Sequence, residues 1–230
     1  MGCCISILHN KVPSNNRIVE HINHSTVTLV RESLPNEWYT YCSGFWISEN
    51  YIVTARHCVD DKDQNVEKNS IVQYSTYNDF IKNENIIPPN GPTTVFSAII
   101  VADDITADIA VLKSIDDVNH HILNLNRKPI KIGTTAHIVG HTKGFRYTYM
   151  RGVVSQILRY KDEDDNQDHL TLHITSMMNR GNSGGPAVDN DGNVLGIASF
   201  LRLDAPGMTF FIHRDELLEL LEDNDIRYHL

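Results

Sequence analysis

Gly181-Asn182-Ser183-Gly184-Gly185-Pro186-Ala187-Val188-Asp189-Asn190-Asp191-Gly192-Asn193-Val194-Leu195-Gly196-Ile197-Ala198-Ser199-Phe200 is the stretch that decides the fold. It opens with a serine in a glycine-rich turn. Pro186 follows three residues later, and Ala187-Val188, Asp189 to Asn193 and Val194 to Phe200 then read as strand, turn and strand. The serine therefore leads into a hairpin. The glycines beside it have a physical use. Backbone N–H groups converge on one point only where a turn is tight and carries little side-chain bulk. The N–H groups of Gly181 and Ser183 are the candidate donors of such an oxyanion hole.

Two upstream segments give the serine its meaning. Thr54-Ala55-Arg56-His57-Cys58 places a histidine at the end of an apolar strand, and Asp108-Ile109-Ala110-Val111-Leu112 places an aspartate at the start of another. A serine hydroxyl is a poor nucleophile at neutral pH and needs a base, itself oriented by a third group. His57, Asp108 and Ser183 supply base, orienting carboxylate and nucleophile for acyl transfer. Asp103 and Asp104 compete for the third role but lack the apolar strand that follows Asp108. Gly181-x-Ser183-x-Gly185 also fits the nucleophile elbow of α/β-hydrolases, which keeps an esterase open as an alternative. That elbow leads into a helix, with Asp and His after the serine. The hairpin argues against it, although His213 and His229 do lie downstream. A catalytically idle binding module is the other alternative, and the intact trio argues against it.

Four stretches together resemble the trypsin-like serine proteases of the chymotrypsin fold, in the pattern of the HtrA/Deg branch. They are Gly44-Phe45-Trp46-Ile47-Ser48 through Tyr51-Ile52-Val53-Thr54, then Asp108 to Lys113. The third runs from Lys131-Ile132-Gly133 through Ile138-Val139-Gly140 and Gly144 to Gly152-Val153-Val154-Ser155, and the fourth is Met178-Asn179-Arg180-Gly181-Asn182-Ser183-Gly184-Gly185. The resemblance implies two antiparallel six-stranded β-barrels with a short C-terminal helix. The triad would sit between them, and the activity would be a serine endopeptidase acting on proteins or peptides. It also implies a substrate pocket with Met177 at its base, Met178 nearby, and Ser199, Phe200 and Leu201 along one wall. Without a carboxylate at that base, cleavage is expected after small or medium aliphatic residues. Many secreted relatives close the loop before the histidine with a disulfide, which brings Cys42 and Cys58 together. No secretory signal is visible, so reduced thiols are the expectation.

The sequence departs from the family pattern in three places. Arg56 stands where a small residue is common. A PDZ domain usually follows in HtrA proteins but does not appear before Leu230, so PDZ-controlled activation is not expected of this chain. Arg17-Ile18-Val19 resembles a trypsin-type processing site, yet Asn182 offers no charge to pair with a freed amine, and no such zymogen switch is expected.

The 230 residues carry a net charge of −9 and are 41% hydrophobic, which fits a globular domain and gives nucleic-acid binding no electrostatic support. The domain plan is a polar, flexible lead over 1–24 and a protease domain over 25–230. Within it, barrel one covers about 25–113, the connection 114–129, barrel two about 130–213 and the helix 214–223. Met1-Gly2-Cys3-Cys4-Ile5-Ser6 matches a myristoylation pattern, with palmitoylation of Cys3 or Cys4 as the second anchor. The expectation is a cytoplasmic protein attached to the cytoplasmic face of a membrane. The 12 histidines show no zinc spacing, and His120-His121 is expected to be exposed. No metal and no cofactor are expected.

Overall fold

A computed structural model describes residues 17–35, 37–60, 69–82, 94–161, 168–201 and 208–230, with the side chains at 160, 161 and 201 outside that description. Gly2, Cys3 and Cys4, the proline-rich run at 84–93 and the acidic run at 162–165 lie outside the described residues. Among the described residues no helix is long and apolar enough to cross a membrane.

Twelve strands form two closed antiparallel barrels. The first comprises β1 (Thr26–Leu34), β2 (Glu37–Trp46), β3 (Tyr51–Ala55), β4 (Ile71–Thr76), β5 (Phe96–Asp104) and β6 (Ile109–Ser114), in the order β1-β2-β3-β6-β5-β4. The second comprises β7 (Thr135–Thr142), β8 (Phe145–Lys161), β9 (Asp168–Thr175), β10 (Pro186–Val188), β11 (Val194–Leu201) and β12 (Met208–His213). Its order, β7-β8-β9-β12-β11-β10, repeats that of the first barrel. The expected fold class is the one observed.

Strand periodicity explains how the barrels dock. Successive side chains point to opposite faces of a strand. Ile52 on β3 and Leu112 on β6 pair across the sheet and fill barrel one with Trp46 and Tyr74. Their neighbours Val53 and Val111 face the other way, into a core between the barrels. Barrel two does the same: Ile138, Leu172 and Phe211 fill its interior, while Val139, Ile197 and Ile212 join the shared core. Each such side chain contributes about 1.5–3 kcal/mol on burial, so docking draws on the same source as barrel closure.

Among the described residues three α-helices accompany the strands, α1 (Arg17–Ser25), α2 (Tyr77–Lys82) and α3 (Arg214–Asp223). The first corrects the domain plan, because residues 17–24 were expected to belong to a flexible lead. Ile22 on α1 is fully buried in the inter-barrel core, and Ile18 packs against it. The Ser25 and Thr26 hydroxyls donate to the His21 and Ile22 carbonyls, satisfying acceptors at the helix end. On α3, Leu217 and Leu221 are buried on one face, as their spacing predicts, and enter the shared core. His213 caps this helix, its Nδ1 accepting from the Asp215 N–H. His120 also departs from expectation: its ring stacks on Trp46 with centroids 3.8 Å apart, whereas His121 is exposed.

Candidate active site

β3 ends at Ala55 and runs into a 3-10 turn, Arg56–Cys58, that carries His57. Asp108 precedes β6 in a left-handed conformation, φ +55°, which aspartate tolerates better than most residues. The two segments grip each other closely. The His57 backbone N–H donates to Asp108 Oδ1 at 2.9 Å, and His57 Nδ1 lies 2.8 Å from Asp108 Oδ2. The Arg56 N–H donates to the Asp108 carbonyl at 3.0 Å. With Nδ1–H committed to the carboxylate, the Nε2 lone pair of His57 is free to accept a proton. Burial pushes the His57 pKa down, but the hydrogen bond to Asp108 and the charges of Asp108 and Asp60 outweigh it, and the net direction is up.

The competing aspartates have other partners. Asp103 accepts from Arg56 Nε at 2.9 Å, and Asp104 Oδ1 accepts from the N–H groups of Thr106 and Ala107. Arg56 lines the cleft beside His57 but is largely buried, and its charge is paired with Asp103 and with Asp60 at 3.9 Å.

Ser183 comes from the other barrel. Its carbonyl accepts from the Ser43 N–H of β2 at 2.8 Å, and the following Gly184 N–H donates to Ala198 O at 2.6 Å. Ser43 is a residue that sequence reasoning missed. Its hydroxyl donates to Gly181 O and accepts from the His141 N–H, both at 2.9 Å, so one side chain ties barrel one to the turn before the serine. Asn182 is fully buried, and its Oδ1 accepts from the Thr142 hydroxyl at 3.0 Å. This bond fixes the turn from inside the second barrel. Arg17-Ile18-Val19 meanwhile lies within α1.

The N–H groups of Gly181 and Ser183 donate to no protein acceptor among the described residues. The Ser183 hydroxyl donates to Ser199 O at 3.2 Å. Gly181 has φ +99°, and a Cβ there would fall on the His141 carbonyl. His141 is 3% exposed; burial, then the charge of Arg146, lowers its pKa to about 4.

The residues expected to form one substrate pocket divide. Met177 is 79% exposed and lines a cleft of about 610 Å³ together with Met150, His173 and Met208. Met178 is instead buried in the second barrel's interior. Phe200 and Ser199 line a different cleft, of about 430 Å³, with His57 and Asp108. A stacked row, Phe200 on Phe210 on His173, runs from one cleft to the other. Ser199 does more than form a wall: its hydroxyl donates to Asp108 Oδ2 at 2.5 Å. Leu201 ends β11, with its side chain outside the description.

Comparison with known proteins bears on the family and the fold. A "Serine protease HtrA-like" protein of Staphylococcus haemolyticus is 34% identical over 146 residues, covering 55% of this chain and 22% of the relative. A probable periplasmic serine endoprotease, DegP-like, of Hahella chejuensis is 27% identical over 215 residues, covering 91% of this chain and 40% of the relative. The chain thus spans less than half the length of these relatives. The active form of the Rv3671c protease from M. tuberculosis superposes with a TM-score of 0.72 at 18% identity, covering 99% of this chain and 97% of that one, a likeness of fold. Residues 42–197 match the trypsin-like peptidase domain, and the chain belongs to that family.

Proposed function

We propose that the chain is a serine endopeptidase in which Ser183 attacks the peptide carbonyl, His57 moves the proton and Asp108 orients His57. The observation that carries this reading is the Asp108 carboxylate holding both the main chain and Nδ1 of His57. In this reading the Ser183 hydroxyl leaves Ser199 O and turns to Nε2; such contacts are often loose before substrate binds. His57 then takes the hydroxyl proton as the acyl bond forms and returns it to the leaving amine, with Asp108 stabilising the imidazolium between the two steps. The free N–H groups of Gly181 and Ser183 are the donors for the oxyanion, where loss of a single donor typically costs about 10²–10³ in kcat.

Substitution of Ser183 by Ala tests the assignment, with hydrolysis of a casein-type protein as the readout. Near-complete loss is expected, and turnover close to that of the wild type would sink the reading. The idle-module alternative draws on the Ser183 hydroxyl resting on Ser199 O. Labelling by a fluorophosphonate separates the two, and a panel of matched peptides and esters separates peptidase from esterase.

The proposed preference is for small or medium aliphatic side chains before the cut. Its support is the apolar Phe200 beside His57 and the methionines of the neighbouring cleft. Dominant cleavage after Arg or Lys in a peptide library would overturn it. Acylation at Gly2 and at Cys3 or Cys4, with attachment to the cytoplasmic face of a membrane, is proposed from the sequence pattern. A Gly2→Ala chain that stays in the membrane fraction would remove it.

A further inference from the structure

Cys42 on β2 and Cys58 at the end of the 3-10 turn are 16 residues apart in sequence and are bonded to each other beside His57. The bond differs from the reduced thiols expected from the sequence. The two sulfurs and a ring nitrogen of His57 all lie within 4.8 Å of one another. The sequence spacing of these three residues matches no zinc motif. The closed barrel brings them together.

We propose that, once this disulfide is reduced, Cys42, Cys58 and His57 bind a zinc ion that switches the protease off. The inhibitory part of the proposal rests on His57 being the general base, as assigned above.

The donor set is one that zinc favours: two thiolates and an imidazole, with one position left for water. Tetrahedral bonds of ordinary zinc length place such ligand atoms about 3.6–3.8 Å apart. The nitrogen–sulfur separations therefore need to close by roughly 1 Å at most, while the two sulfurs part by about 1.7 Å once their bond is cut. Orientation is already provided. A zinc-bound histidine commonly donates its other N–H to a carboxylate, and His57 Nδ1 lies 2.8 Å from Asp108 Oδ2. The arrangement that prepares Nε2 to accept a proton equally prepares it to hold a cation. Access is from one side. Cys42 and Cys58 are 5% and 1% exposed, whereas the His57 side chain is 46% exposed, so the ion enters past the imidazole.

The redox step balances with a dithiol as reductant. Its two S–H groups supply two protons and two electrons, its sulfurs join as a disulfide, and the Cys42–Cys58 bond opens to two thiols. Zinc binding then releases both thiol protons to water and leaves a neutral dithiolate–zinc pair. The oxidised protein keeps only the imidazole of this set and has no thiolate to offer. With Nε2 occupied, His57 cannot accept the Ser183 proton. The reduced form is therefore zinc-inhibited and the oxidised form is not.

The experiment uses the full chain, either oxidised or reduced with dithiothreitol and freed of reductant without air. Cobalt(II) is titrated in first. The reduced protein is expected to show thiolate-to-cobalt charge-transfer absorption that zinc abolishes, and the oxidised protein to show none. Peptide hydrolysis is then followed in buffered free zinc, where the reduced form should lose at least nine-tenths of its activity, on the order of the tenfold change that 1.4 kcal/mol represents. A Cys42→Ser, Cys58→Ser double variant should show no charge-transfer band and no zinc inhibition. If that variant does not fold, the cobalt spectrum of a reduced Cys3→Ser, Cys4→Ser chain, whose remaining thiols are Cys42 and Cys58, decides alone. Absence of the band in the reduced protein overturns the site, and a band without inhibition overturns the part given to His57. A band in a protein that never cleaves peptide supports the site and overturns the protease reading instead.

Discussion

His57 and Asp108 are fixed through their side chains, whereas Ser183 is fixed through the main chain on either side of it. In barrel one both carboxylate oxygens of Asp108 are occupied, by the main chain and ring of His57 and by Ser199. In barrel two the turn is held by carbonyls and glycines: Ser43 takes Gly181 O and Ser183 O, and Gly184 sits where a side chain would strike the Ser43 carbonyl and the Thr54 hydroxyl. The first half should respond to changes of charge and protonation. The second should respond to changes of volume and backbone freedom.

The largest effect expected is on the charge side. Asp108→Asn keeps the shape but removes the orienting charge, and kcat should fall about 10⁴-fold. A general base must be neutral, and the His57 pKa is raised in the folded protein, so the acid limb of the wild-type pH–rate profile should lie above pH 6.5. In the variant the residual activity should show that limb moved down. A limb that does not move would mean Asp108 does not set the protonation of His57.

Gly184→Ala probes the other half. It combines φ +82° with a Cβ driven into backbone and a buried hydroxyl, and about 3–5 kcal/mol of stability should be lost. Urea unfolding measures it, and a loss under 1 kcal/mol would show that the turn has room to shift.

A smaller effect concerns His141, beneath the same turn. Its folded pKa of about 4 lies below the ordinary 6.5, so the unfolded chain binds the extra proton first as pH falls. Stability is therefore lost as pH drops from 6.5 towards 4, by about 3 kcal/mol from this group. His141→Gln should flatten that slope in urea melts at successive pH values. An unchanged slope would place the acid lability elsewhere, for example at His213, whose pKa burial also lowers.

The smallest effect expected is that of Ser199→Ala. A hydrogen bond to a charged group is worth about 1.5–3 kcal/mol, so kcat should fall roughly 10- to 150-fold with KM little changed. A loss as large as that of Asp108→Asn would mean the pair cannot hold its geometry without the second barrel, and the contrast between the halves would blur.

The residues legible in the sequence were those whose surroundings are local. His57, Asp108 and the Ser183 turn each stand at a junction of strand and turn that a few neighbouring residues define, and the hairpin after Pro186 excluded a helix. Ser43 and Ser199 carried no such signal. Each is an ordinary strand serine whose partner lies 138 or 91 residues away and meets it only when the barrels dock. The division of the pocket residues has a related reason: counting back from Ser183 gives the position of Met177 in the chain but not which side of the Phe200–Phe210–His173 row it faces. Polar residues outnumber Ile18 and Ile22 in α1, so its sequence has the character of a lead, although Ile22 is completely buried. The shared strand order of the barrels left no repeat in the sequence, since either alternation of apolar residues satisfies the same topology.

That shared order, with base and nucleophile assigned to different barrels, has a consequence for the molecule during its own synthesis. Growth from the N-terminus completes β6 before any of β7 exists, so the emerging chain holds an imidazole and a carboxylate with nothing for them to activate. Ser183 follows about 70 residues after the end of β6, and its turn is held in the folded chain by Ser43 of the first half. Under the proposed chemistry a truncated or stalled product is harmless to its neighbours, and the ability to cut is itself the report that folding has been completed.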